Sequence, residues 1–122
     1  MAWTYSQSTG QLKHNGTVVG TGYSGAGMTT ATGRNNPAMQ SLHNQGPIPQ
    51  GHYHIGTAYF HRHKGPITMN LTPVGHNAFG RTEFRIHGDN AANNASEGCV
   101  ILGPTIRHQI SASGDAALLV VP

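Results

Sequence analysis

Charge is scarce in this chain. Charged side chains make up only 9% of the 122 residues, and seven Lys and Arg against four Asp and Glu leave a formal net charge of +3. No run of basic residues concentrates that charge, so no nucleic-acid surface is expected. A mild positive balance suits contact with an anionic polymer instead. There is a single cysteine, Cys99. It excludes an internal disulfide and fits a protein made in a reducing compartment. Long apolar runs are absent too: no stretch approaches the roughly 20 residues that cross a bilayer as a helix, so membrane insertion is not expected. Met1-Ala2-Trp3-Thr4-Tyr5 has neither the basic nor the apolar region of a cleavable leader. The expectation is synthesis in the cytoplasm without a signal peptide. His-Glu-x-x-His and Cys-x-x-Cys patterns are missing, and the glycines between Gly20 and Gly27 form no phosphate loop. Neither a cofactor nor a metal is expected.

What is abundant is turn chemistry. Gly 17 and Pro 7 are spread between short apolar runs, the pattern of many short strands joined by turns. Strands are expected over Trp3–Gln7, Gln11–His14, Thr17–Ser24 and His52–Ile55, with Asn15-Gly16 as a two-residue hairpin turn. Asn36-Pro37 reads as a cap and first position of a short helix to Leu42. Tyr59–Leu71 reads as a hairpin around Lys64-Gly65-Pro66. Thr82–His87 is the clearest strand, with Phe84 and Ile86 toward a core and Glu83, Arg85 and His87 on the other face. Thr105 is expected to cap a helix pairing Ile106 with Ile110, and Ala116–Val121 is a final buried strand. The fold class is mostly β with one or two short helices, in one catalytic domain over residues 1–122.

The chemistry concentrates at Cys99. A lone thiol is either a small buried hydrophobe or a nucleophile. Gly98 before it permits a sharp turn, and main-chain N–H groups at Gly98 and Cys99 can face a reacting carbonyl. His87 closes the preceding strand and can take the thiol proton. Asp89 and Ser96 are candidates for orienting His87 or the nucleophile loop, although ordinary turn chemistry explains both, and a backbone carbonyl can orient an imidazole equally well. Arg81, Arg85 and Arg107 are candidates for a substrate carboxylate; Arg85 leads, because alternation puts it on the His87 face. His52/His54 and His61/His63 form two His-x-His pairs that zinc could use, but few carboxylates are available to complete such a site.

Ile86-His87-Gly88 followed by Ser96-x-Gly98-Cys99-Val100 resembles the active-site signature of L,D-transpeptidases. Pro49-x-Gly51-x-Tyr53-x-Ile55 is similar to that family's Pro-x-Gly-x-aromatic strand. The fuller string from Phe84 to Asn90, with Ala95-Ser96-Glu97-Gly98-Cys99 and the start at Trp3, resembles a smaller branch: L,D-transpeptidase-like effectors of type VI secretion systems. Two departures stand out. Ile101 occupies a position that is usually Arg or Asn in the standard enzymes, and the interval from His87 to Cys99 is shorter. The resemblance implies an L,D-transpeptidase-like β-sandwich and a cysteine L,D-carboxypeptidase and L,D-transpeptidase acting on peptidoglycan stem peptides. Cys99 would attack the carbonyl of the third stem residue, releasing the terminal D-alanine or exchanging it for another D-amino acid. It further implies type VI secretion components and a cognate immunity protein as partners, and action in the target cell's periplasm. The competing readings are a housekeeping wall enzyme of the same chemistry, a non-catalytic wall-binding module in which Cys99 is dispensable, and a metal hydrolase built on the histidine pairs.

Overall fold

The computed structural model describes residues 2–122. Ten strands dominate: β1 (Trp3–Ser6), β2 (Gln11–His14), β3 (Thr17–Thr21), β4 (Tyr23–Ser24), β5 (Gly51–Ile55), β6 (Tyr59–His61), β7 (Gly65–Val74), β8 (Arg85–His87), β9 (Val100–Ile101) and β10 (Ala117–Val121). One α-helix, α1 (Pro104–Ser113), and three single 3-10 turns complete the chain. The fold is mostly β, as the turn-rich composition requires.

The strands lie in the order β3-β2-β1-β10-β5-β7-β8-β9-β4, with β6 hydrogen-bonded to β7 off this path. The C-terminal strand is therefore central: β10 runs parallel to β1, Trp3 facing Leu118, and antiparallel to β5, Tyr53 facing Leu118. β3 and β4, the two ends of the path, are consecutive in the chain and separated only by Gly22. The sheet must therefore curl until its ends meet. A Cβ on Gly22 would lie 1.8 Å from the Ile101 carbonyl oxygen, so no side chain fits at this junction.

Inside the curl sit Trp3, Tyr5, Leu12, Tyr53, Met69, Ile86, Leu118 and Val120, all nearly inaccessible to solvent. Alternation along β1 and β10 selects them: Trp3 and Tyr5, and Leu118 and Val120, point inward, while their neighbours are more exposed. Helix α1 lies against β7 and adds Ile110 to this core.

Several local expectations change. The run Thr17–Ser24 is split at Gly22 into β3 and β4. Pro37–Met39 is a single 3-10 turn, with Asn36 Oδ1 accepting from the Ala38 N–H at 3.1 Å. The cap of α1 is Gly103, not Thr105, because Pro104 takes the first helical position. The strand expected over Thr82–His87 is shorter, since Glu83 adopts φ 64 and pairing survives only over Arg85–His87. His52 and His54 stay exposed on β5. Among the described residues, no group of three or more His, Cys, Asp or Glu side chains could hold a metal ion.

Candidate active site

β8 and β9 run parallel, with Ile86 facing Val100 and His87 facing Ile101. Continuing that register one residue back puts Cys99 opposite Arg85. Alternation then places Arg85, His87, Cys99 and Ile101 on one face, while Ile86 and Val100 enter the core. His87 and Cys99 are offset by two residues across adjacent parallel strands, roughly 8 Å between Cα atoms, within the combined reach of an imidazole and a thiol.

Both groups are buried: His87 is 2% exposed and Cys99 8%. The His87 Nδ1 lies 2.8 Å from the Gly88 carbonyl oxygen. A carbonyl only accepts, so Nδ1 carries the proton and Nε2 is the basic nitrogen of the neutral ring. That Nε2 is buried and has no hydrogen-bond partner. The Cys99 thiol donates to the Glu83 carbonyl at 3.7 Å. The left-handed Glu83 that ends β8 early thus carries the thiol's acceptor.

Burial favours the neutral form of each group. Desolvation pulls the His87 pKa down to about 4, against a smaller opposing effect from its Gly88 hydrogen bond. Desolvation pushes the Cys99 thiol up, partly offset by a backbone hydrogen bond from Arg85 and by the Lys64 and Arg85 charges. The resting pair is therefore a thiol and a neutral imidazole rather than an ion pair.

The Ser96–Cys99 loop is fixed by two buried serines. Ser96 Oγ donates to the Cys99 carbonyl at 2.6 Å and accepts from the Gly98 and Gly25 N–H groups at 3.1 and 3.0 Å. Ser24 Oγ donates to the Gly98 carbonyl at 3.2 Å and accepts from the Ile48 N–H at 2.8 Å. Gly98 itself has φ 139, and a Cβ there would come within 2.5 Å of the Arg81 guanidinium. Ser96 therefore orders the loop and makes no bond to His87.

Asp89 also leaves His87 untouched. It accepts from the Tyr23 hydroxyl at 2.6 Å and from the Asn90 N–H at 2.8 Å, and the Gly88 carbonyl orients the imidazole instead. The same Tyr23 hydroxyl accepts from the Ala95 N–H at 2.8 Å, and the Arg34 guanidinium stacks on the Tyr23 ring while donating to the Asn93 carbonyl at 2.9 Å. Both ends and the middle of the segment between His87 and Cys99 are thereby tied to Tyr23 and Arg34.

Arg81 is buried and donates to the carbonyls of Gln40, Gly46, Pro47 and Glu97. It ties the Gln40–Pro47 segment to the turn just before Cys99 rather than presenting a free guanidinium. Arg107 is likewise committed, to the Leu102 and Pro66 carbonyls. Arg85 is only half-buried. Its Nε reaches the Tyr59 hydroxyl at 3.3 Å and its Nη1 the Glu83 carbonyl at 3.4 Å.

Cys99 opens into a cavity of about 340 Å³, walled by Arg81–Arg85, by the loop before Cys99, and by His43, Asn44 and Lys64. Sequence reasoning did not single out Tyr23, Arg34, Ser24 or Lys64. None belongs to a motif, and each reaches the site only through contacts between distant parts of the chain.

The chain is thus a mostly-β protein in which Cys99 opens to a polar cavity while His87, on the same strand face, is buried and does not line that cavity. The Tlde1 domain matches residues 19–116. The chain therefore belongs to the Tlde1 family of type VI secretion effectors, which makes it an antibacterial effector. No curated protein matches it.

Proposed function

We propose that the protein is a cysteine L,D-carboxypeptidase, with L,D-transpeptidase exchange as its second outcome, acting on peptidoglycan stem peptides. The observation that carries this reading is the His87 imidazole. Its Nδ1 is held by the Gly88 carbonyl, and its buried Nε2 has no partner on the face it shares with Cys99.

The chemistry follows from the neutral resting pair. On substrate binding, the thiol turns from the Glu83 carbonyl toward Nε2. As the S–H proton passes to Nε2, sulfur attacks the carbonyl carbon of the third stem residue and an oxyanion forms. The Cys99 N–H is its proposed donor, because the Gly98 N–H is already given to Ser96. Collapse of the oxyanion breaks the C–N bond, and the Nε2 proton leaves with the amine of the terminal D-alanine. Water then attacks the thioester, its proton goes to Nε2, and the released thiolate is reprotonated. Where the amine of a free D-amino acid attacks instead of water, the result is exchange. On this reading Arg85, on the same face as the thiol, meets a substrate carboxylate, while Arg81 and Ser96 act as positioning residues. The site is proposed to lie within one domain spanning the chain and to act in the periplasm of the target cell.

Incubating purified tetrapeptide muropeptides with the protein should yield tripeptides with loss of D-alanine, identified by mass. Cys99→Ala should yield none while keeping its far-UV circular dichroism, since truncating this small side chain leaves little cavity. Undiminished conversion by Cys99→Ala would remove the cysteine mechanism.

A further inference from the structure

The tip of the β6–β7 hairpin brings Lys64 to the wall of the Cys99 cavity. Lys64 is half-buried there, and the half-buried Arg85 lines the same cavity. Two carboxylates, Glu83 and Glu97, line the same cavity, yet neither approaches a cation: the one ion pair among the described residues is His14–Asp115. The Lys64 ammonium makes no hydrogen bond among the described residues. Arg85 spends Nε and Nη1 on the Tyr59 hydroxyl and the Glu83 carbonyl, leaving Nη2 without a partner. Arg81 and Arg107, by contrast, are used up on backbone carbonyls. The charges of Lys64 and Arg85 are both felt at the Cys99 sulfur and at the His87 ring. Ile101 offers no charge on this face.

We propose that Lys64 and Arg85 together read a free carboxylate on the residue released from the substrate, so that the cavity selects stem peptides ending one residue beyond the attacked carbonyl. This deepens the stem-peptide reading and rests on it. An ammonium and a guanidinium lining the cavity that Cys99 opens into fit the α-carboxylate of a terminal amino acid. They discriminate against an amidated or extended terminus, whose uncharged group offers neither cation an anion. Arg85 supplies directional donors and Lys64 a mobile point charge from a hairpin tip.

The single thiol makes a direct test possible. Iodoacetate and iodoacetamide alkylate Cys99 by the same displacement of iodide, and only iodoacetate carries a carboxylate. The ratio of the two rates cancels any change in thiol ionisation and reports the pull of the cavity on a carboxylate. Lys64→Met and Arg85→Met should each lower that ratio roughly threefold to tenfold, as expected for one partly screened charge, and Lys64→Arg should restore most of it. A ratio unmoved by both substitutions overturns the proposal, whatever the protein does to muropeptides. The second measurement is turnover of tetrapeptides ending in a free acid or an amide. Wild type should favour the acid, and Lys64→Met should lose more kcat/KM on the acid than on the amide. Equal losses on both substrates would also overturn the proposal. A ratio that falls as expected, in a protein with no Cys99-dependent turnover, would leave the carboxylate site standing and remove the stem-peptide reading instead.

Discussion

At the scale of single residues, the environment of His87 sets two measurable behaviours. Its folded-state pKa of about 4 lies below the ordinary histidine value of 6.5. Between those values the unfolded chain binds a proton that the folded chain does not. Stability from this group is therefore present above pH 6.5 and lost as pH falls toward 4. His87→Gln should flatten that part of the stability curve relative to wild type, measured by urea unfolding at closely spaced pH values; an unchanged slope would show that the imidazole is not buried neutral. Catalysis follows the same direction. With His87 as the proposed base, unprotonated well below neutrality, the acid limb of kcat/KM should fall nearer pH 4 than 6.5. His87→Ala should lower turnover by roughly 10² to 10⁴, the usual scale for a positioned acid–base group. A loss of less than tenfold in single-turnover assays would assign the proton transfer elsewhere.

At the scale of elements, the site depends on three backbone devices: the break of β8 at Glu83, the turn at Gly98 and the junction at Gly22. The first two orient the thiol, and the third holds the strand ends together behind it. β4 pairs with β9 through Tyr23 facing Ile101 and Ser24 facing Val100, so β4 delivers both the Tyr23 hydroxyl and the Ser24 hydroxyl to the nucleophile loop. Gly22→Ala would drive a methyl group into the Ile101 carbonyl. It should destabilise the fold by about 3 kcal/mol, read as a lower midpoint in chemical denaturation, and should slow Cys99-dependent turnover in the protein that remains folded. A wild-type midpoint would mean that β3 and β4 can separate without loss. The strand pattern that frames these devices was legible in the sequence: Asn15-Gly16 turns β2 into β3, alternation picks out β1, and the apolar run to Val121 picks out β10. The break at Glu83 was not. Glutamate in the left-handed region has no local signature, and only the surrounding packing holds it there.

At the scale of the whole molecule, membership of the Tlde1 family makes the chain a type VI secretion effector, and no helix among the described residues is long and apolar enough to cross a membrane. A wall-directed enzyme harms a cell only where wall is present. Expressed in the cytoplasm of a test bacterium, the protein should have little effect; directed to the periplasm by an added export signal, it should cause swelling or lysis that disappears in Cys99→Ala. Equal toxicity from both compartments, seen as growth curves and cell shape, would exclude the wall as its target. By itself the sequence determined the mostly-β class, because glycine turns and alternation are local signals, and its compact His-Gly…Ser-x-Gly-Cys string supplied Cys99 and His87 as the pair that the proposed mechanism uses. Tertiary structure alone decided that Gly88 rather than Asp89 holds the imidazole, that Ser24, Tyr23 and Arg34 brace the nucleophile segment, that Arg81 is consumed by carbonyls, and that Lys64 reaches the cavity. Each of those contacts joins residues brought together by the curl of the sheet. Sheet order reflects which apolar faces close around the core, and no short window of sequence contains that closure.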